Sequence, residues 1–83
     1  MKVLFFASLR DTLGTSELQE PLATGESLTA DGLRERLKSR GEAWQKALSQ
    51  PSLLVAVNQA MVPWDTLLSD DDEVALFPPV TGG

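Results

Sequence analysis

The stretch KVLFFAS, residues 2–8, is apolar at nearly every position and includes aromatic and β-branched side chains. A second run of this character, EVALF, occupies residues 73–77. Strands that are buried on both faces of a sheet have such continuous apolar sequences, whereas strands with one solvated face alternate apolar and polar residues. Both runs therefore predict strands at the centre of a sheet, although they are far apart in the sequence.

The segment SLTADGLRERLKSRG between these runs predicts an amphipathic helix over residues 30–40. Thr29 can cap the helix through its hydroxyl group. Leu28 and Leu33 have the spacing of a hydrophobic staple, in which the residue before the cap packs against the fourth helical residue. This helix is expected to pack its apolar side across the sheet.

Further elements follow from shorter patterns. They are a helical turn at 9–14, an edge strand within 15–21, a helix at 42–49, a strand at 52–57, a two-residue turn at 58–59 and a return strand at 60–64. This order predicts an α+β fold. Parallel pairing of the first and last strands would make it a β-grasp, a mixed sheet with a helix packed across one face. The domain is expected to span 1–77, with an extended tail at 78–83.

Composition excludes several classes of function. The chain has 83 residues with no cysteine and no histidine, so disulfides, thiol nucleophiles and the usual zinc ligands are absent. Its net charge of −5 is opposite to that of most nucleic-acid-binding proteins. No apolar run approaches the roughly 20 residues that span a bilayer. We expect a cytoplasmic protein with no metal site and no nucleic-acid or membrane partner.

The segment FPPVTGG, residues 77–83, predicts an extended C-terminal tail whose functional group is the carboxylate of its last residue, Gly83. Pro78 and Pro79 cannot donate to a ladder, so strand pairing should stop there, and two prolines keep the chain extended. Glycine has no Cβ, so Gly82 and Gly83 suit a thread that enters a narrow channel. If ATP adenylates the Gly83 carboxylate, sulfide or persulfide attack would give a thiocarboxylate. Attack by a lysine amine would instead give an isopeptide bond.

The sequence also resembles a known family along its whole length. DEVALFPPVTGG at 72–83 resembles the C-terminal signature of molybdopterin synthase small subunits, which are ubiquitin-like sulfur carriers. VLFFASLRDTLG at 3–14 is similar to the N-terminus of that family, and LLVAVNQAMV at 53–62 to its middle strand pair. The segment between about residues 20 and 51 matches in pattern only.

The resemblance implies a β-grasp fold and a role as a sulfur carrier in molybdenum cofactor biosynthesis. It implies that a ubiquitin-activating-type enzyme uses ATP to adenylate Gly83, which becomes a thioglycine and donates sulfur to a cyclic pyranopterin. The large subunit would hold the catalytic lysines, and two copies of each subunit would form a tetramer. The chain would then be a covalent co-substrate rather than a complete enzyme. The residues expected to enter or dock against the large subunit are Gly82, Thr81, Val80, Pro79, Pro78 and Phe77.

Three alternatives stay open on the sequence. The chain could carry sulfur for thiamine thiazole synthesis, although those carriers lack the FPPVTGG tail. It could be a ubiquitin-like modifier of target lysines, or a binding module whose two prolines dock in an aromatic groove.

Phe77 could be a core residue at a strand end or a docking residue. The acidic run at 69–73 could pair with an activating enzyme or form a solvated turn.

Overall fold

The computed structural model describes residues 1–79 and contains five strands and three helices within that range. The strands are β1 (Lys2–Phe5), β2 (Glu17–Gln19), β3 (Leu54–Val57), β4 (Ala60–Met61) and β5 (Glu73–Phe77). The helices are α1 (Ser8–Leu13), α2 (Ala30–Lys38) and α3 (Glu42–Leu48). The predicted order of elements is confirmed.

The strands form one mixed sheet in the order β2-β1-β5-β3-β4. β1 and β5 pair in parallel, with Val3 opposite Val74 and Phe5 opposite Leu76. β3 lies antiparallel to β5, and β2 lies antiparallel to β1. The first and last strands are therefore central neighbours, and the β-grasp prediction is confirmed.

The core lies between one face of the sheet and the helices. Alternate strand residues point toward this core, and helix residues with helical spacing meet them. Its largest side chains are less than 2% exposed: Phe5, Leu9, Leu33, Leu37, Leu48, Leu53, Leu76, Val3, Val55 and Val74. Trp44 packs edge-on against Phe5, with the ring centres 5.5 Å apart. Burial of aliphatic and aromatic side chains on this face holds the helices to the sheet.

Helix α2 begins as the sequence predicts but ends two residues earlier. The Thr29 hydroxyl accepts a hydrogen bond of 3.0 Å from the Gly32 N–H, and Leu28 and Leu33 are both buried. At the other end, the Arg40 N–H donates to the Leu37 carbonyl at 3.1 Å, which tightens the chain into a final turn outside the helix. The predicted end at residue 40 was wrong, because Ser39 caps the helix and its hydroxyl donates to the Arg36 carbonyl at 2.6 Å.

The β3–β4 hairpin turns at Asn58 and Gln59, as predicted. Both residues have positive φ, 51° and 70°, which is the geometry of a type I′ turn. The strands around the turn are shorter than predicted. β3 begins at Leu54 rather than residue 52, and β4 ends at Met61, before Pro63.

The expectation that the central strands are buried on both faces was wrong. Within residues 1–79 the helices cover only the face that carries Val3, Val74 and Val55. On the other face Leu4 and Ala75 are half-buried by their neighbours in the sheet. The apolar pattern that predicts burial therefore produces an open apolar sheet face.

Candidate functional site

Strand β5 leads directly into the C-terminal tail. Its last residue, Phe77, pairs with Leu54 of β3, and the strand ends where Pro78 begins, as predicted. Phe77 and Pro78 are half-buried and Pro79 is exposed. The tail thus starts from a strand held on both sides by β1 and β3. The predicted site residues Val80, Thr81, Gly82 and Gly83 lie outside the described residues.

Phe77 does not point into the core. Its neighbour Leu76 is 1% exposed and faces the helices, so alternation along the strand turns Phe77 to the opposite face of the sheet. Leu54, which lies opposite Phe77 in the register, shares that face. Of the two interpretations that the sequence allows for Phe77, the geometry favours docking, since a partner can reach this side chain.

Phe77 belongs to a continuous outer apolar patch on the open sheet face. The register places Ala75 beside Leu4 and Ala56, and Ala56 beside Met61. β1 continues this face into Phe6, whose N–H donates to the Leu76 carbonyl at 3.3 Å. We define the outer apolar patch as the residues Leu4, Phe6, Leu54, Ala56, Met61, Ala75 and Phe77.

Two members of the outer apolar patch are strongly exposed. Phe6 is 45% exposed and Met61 is 59% exposed. Exposed apolar side chains that stand alone are common, whereas a contiguous group of them indicates an interaction site. Sequence reasoning missed both residues as docking residues. The sequence contains a signal for both, because each is apolar at a position where a strand with one solvated face would carry a polar residue.

The outer apolar patch has a charged border on the β2 side. Lys2 of β1 and Glu17 of β2 form an ion pair of 3.8 Å, and both are about half exposed. Glu73, at the start of β5, lies opposite Lys2 in the register. An apolar centre with a polar rim is the usual composition of a protein–protein interface.

Residues 3–83 match the ThiS family. The chain belongs to the ThiS family. It is 41% identical to the molybdopterin synthase sulfur carrier subunit of Haemophilus influenzae and 43% identical to that of Escherichia coli. Each of these alignments covers 100% of this chain and 99% of the relative. The family resemblance noted in the sequence is confirmed.

Solved structures show the same fold. SAMP1 from Haloferax volcanii superposes with a TM-score of 0.78 at 22% identity, over 100% of this chain and 98% of that chain. A protein–protein complex of subunits 1 and 2 of molybdopterin-converting factor from Helicobacter pylori contains a chain that superposes with a TM-score of 0.67. That match has 24% identity and covers 99% of this chain and 96% of the other.

The four cationic side chains between residues 34 and 40 are engaged within the fold. Arg36 pairs with Glu26, Lys38 with Glu35 at 3.3 Å, and Arg40 with Glu20 at 3.8 Å. Arg34 donates to the Leu48 and Gln50 carbonyls, both at 2.6 Å, and lies 4.6 Å from the centre of the Trp64 ring. Arg34, Arg36 and Arg40 therefore tie α2 and the residues after it to other parts of the fold, whereas Lys38 pairs within α2.

The acidic run at 69–73 also has partners inside the fold. Asp70 accepts hydrogen bonds from the Leu22 N–H at 2.9 Å and from the Met1 ammonium group at 3.3 Å. Asp72 accepts from the Asn58 amide at 2.9 Å and from the Ser69 N–H at 2.7 Å. The run thus ties the hairpin and the first strand to the turn before β5.

Two carboxyl groups, the half-buried Glu26 and the exposed Asp70, have lowered pKa values. The Ala23 N–H, followed by Arg36, lowers the pKa of Glu26. The Leu22 N–H, followed by the Met1 ammonium group, lowers the pKa of Asp70. Below the ordinary carboxyl pKa of about 4, the unfolded chain takes up protons at these groups before the folded chain does. Their contribution to stability is therefore present above that pH and is lost as the pH falls through the lowered values.

We expect the double variant E26Q/D70N to lose less stability in acid than the parent chain. Thermal unfolding measured between about pH 6 and pH 3 should show a shallower fall in Tm for the variant, since two of the pH-sensitive interactions are gone. The variant E42Q/D71N removes two charges from other exposed positions and serves as the control. Equal pH profiles for the parent and E26Q/D70N would contradict the assignment.

Along residues 1–79 no helix is long and apolar enough to cross a membrane.

Proposed function

We propose that this chain is the sulfur carrier subunit of a molybdopterin synthase. The observation that carries the proposal is the full-length similarity to two proteins of that name, together with the FPPVTGG tail. The tail leaves the sheet from a central strand, so a partner that docks on the strand face meets the start of the tail at once. The chain acts in the cytoplasm, where ATP and the partner enzymes are available.

The working group is the α-carboxylate of Gly83. An adenylating enzyme transfers AMP from ATP to this carboxylate and releases pyrophosphate. A sulfide sulfur then attacks the carbonyl carbon, the carbon–sulfur bond forms, and AMP leaves with the carbon–oxygen bond electrons. When a persulfide attacks instead, an acyl disulfide forms, and a thiol then cleaves its sulfur–sulfur bond, forming a new disulfide and releasing the thiocarboxylate. The resulting thiocarboxylate sulfur is a nucleophile toward an activated carbon of a cyclic pyranopterin. Hydrolysis of the thioester intermediate leaves sulfur on the product and restores the carboxylate.

The described residues contribute docking and direction to this chemistry. The outer apolar patch receives the large subunit, and Phe77 and Pro78 fix the direction in which the tail departs. Val80, Thr81 and Gly82 carry the carboxylate into the partner's active site, with Gly82 keeping the thread narrow. Two copies of each subunit make the complete enzyme, and the large subunit supplies its catalytic side chains.

The partner is supported by the Helicobacter pylori structure, in which subunits 1 and 2 of molybdopterin-converting factor form a complex. The composition of this chain also supports the proposal that the large subunit supplies the catalytic side chains. It contains no histidine or cysteine, the side chains that most often serve as general bases and thiol nucleophiles near neutral pH.

The loading reaction is tested by intact mass. The purified chain is incubated with ATP, sulfide and the cognate adenylating enzyme, and its mass is then measured. We expect an increase equal to the replacement of one oxygen by sulfur, and no increase in a chain that lacks Gly83. A fragment spectrum should place the added mass on the last residue.

The same mass spectra, together with an assay for molybdopterin, distinguish the alternative functions. Conjugates with the mass of this chain plus a target protein would favour a protein modifier. An unchanged mass with an adenylating enzyme that loads a known carrier in parallel would overturn the loading step. A loaded chain that gives no molybdopterin with the large subunit would point to another sulfur-transfer pathway.

A further inference from the structure

The junction between β1 and α1 contains a strained residue, Ala7. Its φ is 55° and its ψ is −131°. The Phe6 carbonyl accepts a hydrogen bond from the Leu9 N–H at 3.2 Å across it. The angles and the hydrogen bond define a type II′ turn with Ala7 at the first central position, where φ is about +60° and ψ about −120°. That position suits glycine, because a Cβ crowds the backbone there.

The core explains why the turn is tight. Phe5 and Leu9 are each 1% exposed, and only three residues connect them while the chain passes from a strand into a helix. The two anchors therefore force the backbone at Ala7 into this geometry. These two anchors do not explain why residue 7 is alanine, since glycine would adopt the same angles with less strain.

The Ala7 side chain is exposed, so its methyl group adds little to the core. In the free chain this methyl group strains the backbone, and because it is exposed, no burial of the group offsets that strain. Strained residues of this kind occur where a binding surface uses them. Any benefit from the methyl group must then arise outside the free chain.

The position of Ala7 indicates where that benefit arises. Ala7 follows Phe6, the exposed aromatic member of the outer apolar patch. The Phe6 N–H is bonded to the Leu76 carbonyl, one residue before Phe77. Ala7 therefore lies beside the patch at the end of the sheet from which the tail departs.

We propose that Ala7 is a contact residue of the docking surface, and that its methyl group extends the outer apolar patch and packs against the large subunit. The inference rests on the proposed function, because it requires that the large subunit docks on this face. The strain at Ala7 is then a stability loss in the free chain that is offset by contact in the complex.

The test compares the stability of the free chain with its affinity for the large subunit. We expect A7G to raise the Tm of the free chain by about 4 °C, because glycine removes the strain. We expect the same variant to bind the large subunit about 3–10-fold more weakly in titration calorimetry. A residue with only a structural role would not move stability and affinity in opposite directions.

Two further variants separate contact from backbone flexibility. A7S keeps the Cβ and should leave the Tm within about 2 °C of the parent, while its hydroxyl group lowers affinity by about threefold through desolvation. A43G places glycine at an exposed site on α3, away from the sheet face, and should lower the Tm while leaving affinity unchanged.

The outcomes that overturn the proposal are distinct. An A7G chain that is stabilised but binds as tightly as the parent would show that the methyl group makes no contact. An A7G chain that is no more stable than the parent would show that Ala7 is not strained. A parent chain that fails to bind the large subunit would instead overturn the proposed function, whatever A7G does to stability.

Discussion

Deletion of Gly83, or addition of one residue after it, is expected to reduce molybdopterin formation below detection. The proposed chemistry uses only the terminal carboxylate, and either change moves that group by one residue along the narrow tail. A displaced carboxylate would miss the adenylating site by about 3.5 Å, the length of one extended residue. Displacements of about 1 Å already lower rates about 100-fold in enzyme active sites.

The fold should be unaffected by both changes. Along residues 1–79 the last member of the hydrophobic core is Leu76, which precedes the tail. The free energy of unfolding should change by no more than about 0.5 kcal/mol, as for most surface changes. Thermal unfolding of the parent and both variants measures this directly.

A reversible extension provides the sharpest control. A residue added after Gly83 as part of a protease-cleavable sequence should block sulfur loading, and proteolytic removal back to Gly83 should restore it. Product formation by the extended chain at the parental rate would contradict the tail mechanism. Failure to recover after cleavage would indicate damage to the preparation rather than a role for the terminus, so the cleaved chain is checked by mass.

The sequence predicts the architecture well because the signals for it are local or repeated. Thr29 caps α2, Asn58 and Gln59 close a hairpin, and Gly14 ends α1 in a left-handed conformation with φ of 71°. Each of these depends on a preference of one or two residues. The central pairing of β1 and β5 follows from their apolar character.

The docking surface could not be recognised from the sequence in the same way. An apolar run predicts burial but does not say whether the chain's own helices or another protein covers the second face of a strand. Leu4 and Ala75 are therefore indistinguishable in sequence from core residues, and only the one-sided placement of the helices exposes them. The strain at Ala7 was equally hidden, because alanine carries no turn signal.

The end of α2 shows a different limit. The sequence offers Gly41 as a stop, but the chain leaves the helix after Lys38, and the Ser39 hydroxyl donates to the Arg36 carbonyl at 2.6 Å. A serine bond to the last turn competes with helix continuation and is not visible as a pattern. Helix boundaries therefore depend on such local hydrogen bonds more than on the glycine that follows.

Substitution of Phe77 by alanine is expected to weaken binding to the large subunit by about 30-fold, and by more together with Phe6→Ala. β1 and β5 run parallel with Phe5 opposite Leu76, so the residues that follow, Phe6 and Phe77, both belong to the outer apolar patch at the same end of the sheet. Aromatic side chains at the centre of an interface commonly contribute about 2 kcal/mol or more, which is about 30-fold in affinity. Titration calorimetry with the cognate large subunit measures the effect.

Leu67→Ala is the matched control for this experiment. Leu67 is 66% exposed, more than Phe6 or Met61, but it lies outside the five strands and pairs with Thr29 through an isolated bridge. If exposed apolar area alone promoted association, Leu67→Ala would weaken binding at least as much as Phe77→Ala. We expect no change for Leu67→Ala, because its side chain lies away from the sheet face and from the start of the tail. Equal losses for both variants would contradict docking on the outer apolar patch. An unchanged affinity for Phe77→Ala would mean that the tail alone recognises the large subunit.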